Sequence, residues 1–262
     1  MSLAGRIFTV ALTLTLALVP ASAAAGAARA PVALTATPAR VLLKGSGHAA
    51  VRVTNSGTKR VAVDVSQAGF ALDLRGRPRI VRGGGSDSAS GWLRLRPSHF
   101  TLEPRSSVSL VVTAKLPRRA EPGDYDGLAL LRTRPLVDGR VAVRLRLGVV
   151  VVVRAPGEVV RRLQLDALRV ARRRRGRVLE LLVVNRGNVT ESLTGARAVL
   201  SRGRTGRHLA TLIARSRALR PGTRGIVEFR SRGPARGAVM ARIAIPAAPG
   251  RRAVERSYRL RL

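Results

Sequence analysis

Apolar and polar residues alternate with a period of two along most of this chain. AVRVTN does so from Ala50. WLRLRP sets Trp92, Leu93 and Leu95 against Arg94 and Arg96. VAVRLRL places Val141, Val143, Leu145 and Leu147 on one face and Ala142, Arg144 and Arg146 on the other, and YRLRL repeats the device at Tyr258, Leu260 and Leu262. A two-residue period between Gly, Pro, Asn and Asp punctuation predicts antiparallel strands with one buried and one solvated face. The arginines then cover the outer faces, and a one-residue slip would bury them. One stretch departs from the rule. Val149–Val153 is unbroken valine, which predicts a strand covered on both sides, by the opposite sheet and by a neighbouring domain.

The predicted strands before this point lie near Val32–Ala36, Val41–Leu43, Ala49–Thr54, Val61–Gln67, Trp92–Leu95, Val108–Lys115, Leu128–Arg134 and Val141–Val153, with a small hairpin at Phe70–Val81. Arg154-Ala155-Pro156-Gly157 is a natural break. Beyond it strands are predicted near Val160–Val170, Val178–Asn185, Ala196–Leu200, Leu209–Ala214, Gly225–Arg230, Ala238–Ile245 and Ser257–Leu262. Seven or eight short strands per unit is the signature of a β-sandwich. The expected architecture is all-β: two tandem immunoglobulin-like sandwiches, residues 30–157 and 158–262, after a signal peptide over residues 1–23.

An internal echo supports two copies of one plan. VRVTNSGTKRVAV (Val51–Val63) and LLVVNRGNVTESL (Leu181–Leu193) both read strand, Asn-x-Gly, strand. Each is followed by Leu-x-Pro before a further strand, at LEPRSSVSLVV from Leu102 and LRPGTRGIVEF from Leu219. Asn and Gly accept the positive φ of tight strand connections, and Pro104 and Pro221 can begin a turn.

The N-terminus reads as a targeting segment. Arg6 precedes an apolar run from Ile7 to Val19, Pro20 breaks it, and Ala21-Ser22-Ala23 offers small residues at cleavage spacing, with a second site after Ala28-Arg29-Ala30. The run is short for a membrane span, so the mature chain is expected outside the cytoplasm without a transmembrane anchor. There is no cysteine. An exported protein of this kind is held by its core alone, and thiolate chemistry is excluded. Aromatics are only 3% of the residues, which makes the core aliphatic.

The formal net charge is +35. Nearly all of it is arginine, since Lys44, Lys59 and Lys115 are the lysines. A GC-rich coding bias is one source of such a composition and attraction to an anionic polymer is the other.

Catalytic patterns are sparse. His48, His99 and His208 stand far apart without metal-ligand spacing, and neither HExxH nor GxSxG occurs. His99 in PSHFTL reads as a turn residue. Asp124 and Asp126 in PGDYDG read as turn carboxylates rather than a glycosidase pair. Gly83–Gly91 lacks the helix start of a phosphate cradle and reads as a loop, and Arg172–Arg175 reads as a hairpin loop. No enzyme activity, cofactor or metal is expected. Aromatic stacking platforms are too scarce for nucleic-acid binding.

Four stretches in this order, GWLRLRPSHFTLEP (Gly91–Pro104), LPRRAEPGDYDGLALL (Leu116–Leu131), LRLGVVVVVRAPG (Leu145–Gly157) and LLVVNRGNVTESL, resemble the WxL-interacting protein family. The resemblance implies a bacterial surface protein whose first immunoglobulin-like domain binds peptidoglycan and whose second contacts other surface proteins. The chain departs from that family in ending at Leu262 without a transmembrane helix and basic tail. The expected partners are therefore a cell-wall polymer or other envelope proteins. The expected ligand-binding residues are Trp92, Arg94, Arg96, Tyr125, Arg144 and Arg146, with Tyr125 placed for a corner hydrogen bond and Trp92 either packing in the core or stacking on a sugar. The alternative is a partner-binding, chaperone-like module that acts by β-strand addition at an exposed sheet edge.

Overall fold

A computed structural model describes residues 30–81, 88–138, 141–174, 176–215, 217–231, 237–247 and 250–262. The leader, most of Gly83–Gly91 and Arg175 lie outside them. Strands dominate the described residues, and the helical content is a single 3-10 turn at Ser90–Trp92.

Twelve strands precede Pro156: β1 (Leu34–Thr37), β2 (Arg40–Lys44), β3 (Gly47–Asn55), β4 (Val61–Leu72), β5 (Pro78–Val81), β6 (Leu93–Arg96), β7 (His99–Leu102), β8 (Ser107–Ala114), β9 (Gly123–Thr133), β10 (Leu136–Asp138), β11 (Val141–Val143) and β12 (Arg146–Ala155). They form one sheet of order β1-β3-β8-β6 and a second of order β2-β12-β9-β4-β5, with β7 also paired to β4 and β10 paired to β11. The pairing is antiparallel except between β2 and β12. The inward residues of both sheets meet in one core. Val51, Val53, Leu93, Leu110 and Val112 face Val63, Ala129, Leu131, Val149, Val151 and Val153 across it. Each valine or leucine among them contributes roughly 1.5–3 kcal/mol on burial.

Nine strands follow: β13 (Leu163–Arg173), β14 (Gly176–Asn185), β15 (Glu191–Ser192), β16 (Arg197–Arg202), β17 (His208–Ile213), β18 (Ala218–Leu219), β19 (Arg224–Ser231), β20 (Ala238–Ile245) and β21 (Val254–Arg261). They form sheets of order β13-β14-β19 and β17-β16-β20-β21, with a short β15-β18 pair. Leu179, Leu181, Val183, Leu200, Phe229, Ala241 and Ile243 build a second core that shares no member with the first. The chain thus condenses around two centres, called here the first and second lobes.

The Asn-x-Gly echo has a structural cause. Asn55 and Asn185 are both fully buried. Asn55 Nδ2 donates to the carbonyls of Lys59 (2.8 Å) and Leu102 (3.3 Å), and its Oδ1 accepts from the N–H of Gly57 (3.0 Å). Asn185 repeats the set on Val189 (2.8 Å), Leu219 (3.0 Å) and Gly187 (2.9 Å). Leu102 and Leu219 are the leucines of the two Leu-x-Pro stretches, so each asparagine ties its own turn to the segment entering a distant strand. The glycines play a different part from the expected one. Neither Gly57 nor Gly187 has positive φ. A Cβ at Gly57 would lie 2.7 Å from the carbonyl oxygen of Pro31, and one at Gly187 2.3 Å from that of Val160. Close backbone approach, not turn conformation, requires glycine there.

Other expectations are corrected. Asp124 and Asp126 lie within β9 rather than in a turn, and His99 begins β7, pairing with Asp64. Trp92 closes the 3-10 turn and the strand starts one residue later. The run Val141–Val153 is interrupted at Arg144 and Leu145. Opposite it Pro135, which has no N–H for a ladder, follows the end of β9, and Thr133 Oγ1 accepts from the Leu145 N–H instead (2.8 Å). Arg172 and Arg173 extend β13 instead of forming a loop.

Candidate functional site

The two lobes are joined by polar side chains from β9 and by the β4–β5 hairpin. Asp124 accepts from Arg154 of the adjacent β12 (Nε, 2.6 Å; Nη2, 3.0 Å) and from the backbone N–H of Thr190 in the second lobe (2.8 Å). Burial pushes its pKa up, but these donors outweigh burial and hold it below its ordinary 3.8. Asn188 donates to the Pro122 carbonyl (2.9 Å), and its own carbonyl accepts from the Asp124 N–H (2.8 Å). Asp126 forms an ion pair with Arg220, both largely buried. Burial is the leading influence on Asp126 and leaves its pKa raised in spite of Arg220. Arg220 also donates to the Phe70 carbonyl (2.9 Å) and stands 5.0 Å from the centre of the Phe70 ring.

The hairpin supplies the second brace. Its turn carries DLRGRP, and the Leu74 carbonyl accepts from the Ile226 N–H (2.7 Å) and from Arg217 Nη1 (2.9 Å). Arg75 pairs with Glu180 (2.8 Å) and Glu228. Glu180, 2% exposed, also receives Arg169 and Arg173.

Between the lobes lies a cleft of about 460 Å³. Its floor is the outer face of the second sheet of the first lobe, where Leu128, Leu130, Val150, Phe70, Leu72 and Ile80 come together; Arg40, Arg146 and Arg220 border it, and Thr190 and Ala218 complete it from the second lobe. Arginines were expected on all outer strand faces, but this face is apolar. The difference follows from the second lobe, which shelters it. The valine run fits this arrangement. Val149, Val151 and Val153 point into the first core, while Val152 is fully buried on the opposite face and Val150 lines the cleft.

The edge of that sheet is covered over only part of its length. β2 pairs with Val150–Arg154 of β12, whereas Arg146–Val149 pair with β9 alone. The chain runs from β2 back through Pro38 into β1 of the opposite sheet, which leaves roughly 13 Å of β12, at about 3.3 Å per residue, without a strand partner on that side among the described residues. The Val150 N–H donates to Ala39 on the β2 side (3.1 Å), and the Arg154 carbonyl accepts from Gly45 there (2.8 Å). Alternation along a strand therefore turns the N–H and C=O of Arg146 and Gly148 toward the bare side. Leu145 and Leu147 are half-buried against the core, and Arg144 and Arg146 between and before them are exposed. At Gly148 a Cβ would meet Leu128 Cδ1 at 2.9 Å, so a bare backbone at this point goes with the packing of the cleft floor.

The six residues singled out from sequence fall into three places. Trp92 and Tyr125 come together with ring centres 4.5 Å apart, both packed on the first core, and the Tyr125 hydroxyl donates to the Glu121 carbonyl (3.1 Å). That is the anticipated corner bond. Arg94 and Arg96 lie exposed on β6, opposite the inward Leu93 and Leu95. Arg146 lies on the outside of the other sheet and Arg144 is exposed in the gap between β11 and β12, so the four arginines do not share one surface. Arg146 borders the cleft. The residues missed from sequence are Asp126, Arg220 and the hairpin turn. Their signal was present in two acidic residues two apart within an otherwise apolar segment, a spacing that puts both side chains on one face of a strand.

No protein-family model matches the chain, and no curated protein matches it. Solved structures do. The chaperone–tip adhesin complex of CFA/I fimbriae biogenesis includes a chain 11% identical, with a TM-score of 0.50, over 86% of this chain and 98% of that one. The class 5 fimbriae chaperone CfaA is 12% identical with a TM-score of 0.49, over 86% of this chain and 98% of its own. A chain of the CsuC–CsuE chaperone–tip adhesion subunit pre-assembly complex, from archaic chaperone–usher Csu pili of Acinetobacter baumannii, is 12% identical with a TM-score of 0.48, over 86% and 97%. At these identities the likeness concerns fold: the chain is an all-β protein of immunoglobulin-like sandwich type.

Proposed function

We propose that this is an exported, non-catalytic protein that binds another polypeptide by β-strand addition along the bare edge of β12, with the interlobe cleft receiving side chains of the bound segment. The observation that carries the reading is the one-sided pairing of Arg146–Val149. Strand addition requires unpaired backbone donors and acceptors in a row, flanked by pockets for alternate side chains. The edge offers the first at Arg146 and Gly148, and the apolar cleft beside it offers the second. The fold shared with a chaperone from a chaperone–tip adhesin complex supports the same reading, and a place outside the cytoplasm accords with it.

Adhesion to a cell-wall polymer, implied by the resemblance to the WxL-interacting family, draws support from the +35 charge. It lacks a common surface, because Arg94 and Arg96 stand on one sheet, Arg146 on the other and Arg144 in the gap before it.

Site-specific photo-crosslinking in the native envelope separates the two. A crosslinker at Arg146 or Gly148 is expected to trap a discrete polypeptide, and one at Arg94 or Arg96 is not. Substituting Leu147→Arg should abolish the product, whereas Val111→Arg, on an exposed position of β8, should not. Equal trapping from both sheets, or retention on purified walls at low salt with no polypeptide product, overturns strand addition.

A further inference from the structure

On the far side of the hairpin a second cavity, of about 760 Å³, is lined by Arg75, Arg77, Arg173, Arg215, Arg217 and Arg230, with Glu228 as its acidic lining residue. The carboxylates nearby are already engaged. Glu228 takes Arg75, and Glu180 beneath takes Arg75, Arg169 and Arg173. Arg77 stands 3.9 Å from Asp73, both well exposed. Arg217 forms no ion pair within 4 Å among the described residues, and Asp73 acts on it only from farther off. Its Nη1 donates to the carbonyls of Leu74 and Ile226 (2.9 and 2.6 Å), and its guanidinium is wedged between Gly76 and Gly225, where an added Cβ would lie 3.2 Å and 2.9 Å from Nη2. Burial lowers its pKa in spite of the opposing pull of Asp73. Arg215 and Arg230 are exposed and form no ion pair among the described residues.

Guanidinium groups brought this close repel one another, and a buried or half-buried one gains most from a counter-anion. Here they approach from four elements: the hairpin turn, the end of β13, the segment leading to β18, and β19. A planar carboxylate presents one bidentate edge. A phosphate presents acceptor oxygens in several directions, which suits donors converging from several sides. The number of uncompensated cations calls for more than one such group.

We propose that this cavity is a binding site for closely spaced phosphate groups, held chiefly by Arg215, Arg217 and Arg230 with Arg77 on the rim. Because the donors come from both lobes, an occupant would also tie the hairpin to β19, and it binds independently of the β12 edge.

The test is calorimetric titration of the mature chain with tripolyphosphate and with poly(glycerol phosphate) at low salt. Arg215→Gln/Arg230→Gln removes two exposed cations without touching the bonds of Arg217, and Arg94→Gln/Arg96→Gln removes the same charge from the distant sheet. Saturable one-to-one binding that falls at least tenfold in the first variant and less than twofold in the second supports the site. If tripolyphosphate alone behaves so, the source is a free oligophosphate; if the polymer alone does, it is a polymer-borne one. Equal losses in both variants, or no saturable binding of either probe to the unaltered chain, overturn it. Thermal melts of both variants without ligand check folding, and a native melt for the first variant attributes its loss to the site.

Discussion

The carboxylate of Asp124 accepts a hydrogen bond from the backbone N–H of Thr190 at 2.8 Å while Arg154 donates to both of its oxygens. One side chain thereby belongs to the first lobe through an ion pair and to the second through a main-chain bond. Asp124→Asn leaves Arg154 without its counter-charge in a buried setting, and the expected cost is about 3 kcal/mol, read from urea denaturation at neutral pH.

The same residue sets an acid limb. Its pKa is held below the ordinary 3.8, and that of Glu180 below 4.5; in each case burial opposes the shift and the arginine bonds prevail. A depressed carboxylate stabilises the fold above its unfolded value, and that contribution is lost as pH falls through the folded one. Asp126 has the opposite sign: its raised pKa gives stability present below 3.8 and lost as pH rises, so it offsets part of the limb. The backbone N–H of Arg77 lowers the exposed Asp73 as well, so with three groups against one, urea midpoints should fall as pH drops below about 4.5, the unfolded pKa region of these carboxylates, and the fall should be shallower in Asp124→Asn. An unchanged pH profile in that variant counts against the assignment.

Asn55 and Asn185 make matching sets of buried bonds. Alanine removes the donor to three carbonyls at Asn55 and two at Asn185, and the acceptor of one N–H at each, at about 1–3 kcal/mol for each buried group left without another partner. Asn55→Ala and Asn185→Ala should each lower stability by about 3 kcal/mol in denaturant melts. A loss below 1 kcal/mol in both would make the echo ornamental.

Glycine positions should separate by steric contact. Gly187→Ala drives a methyl against the Val160 carbonyl oxygen, whereas Gly47 has nothing within 4 Å of the new carbon. The expected outcome is a loss of more than about 2 kcal/mol for the first and a change within about 0.5 kcal/mol, on the stabilising side, for the second.

Trp92 is the sole tryptophan and sits in the first lobe against Tyr125. Its emission therefore reports unfolding of that lobe, while far-ultraviolet circular dichroism reports both. Arg220→Ala removes the ion pair with Asp126 and the bond to Phe70. The two signals, coincident in the unaltered chain, should then part into separate transitions. Continued coincidence would mean that the hairpin brace and the bonds of Asp124 and Asn188 suffice to couple the lobes.

Much of this was written in the residue pattern. The two-residue period located most strands, and the valine run announced a strand buried on both faces. It did so because side-chain direction along a strand depends only on parity. The junction was harder to read. Asp126 and Arg220 are 94 positions apart in sequence, about as far as the chain length of a whole lobe, and nothing local links them. β7 was missed because its four residues, HFTL, carry only two large apolar side chains, and its partner β4 supplies the order. The valine run marked the outer face of β12 as hydrophobic, but the matching face of β9 went unread, and only the placement of the second lobe explains why it can be apolar. Arg94 and Arg146 look alike in their local RLR contexts, and parity cannot tell which of two sheets a strand will join.

The departure of the chain at Pro38 has a further consequence. A β-edge without a neighbour recruits whatever strand is at hand, including the same edge of a sister molecule. Arg144 and Arg146 stand guard there as like charges, and that guard weakens as added ions shorten the reach of repulsion to about 8 Å and below. Concentrated solutions should consequently remain monodisperse in dilute buffer and drift toward dimers as sodium chloride is raised, the reverse of what a purely ionic assembly would do.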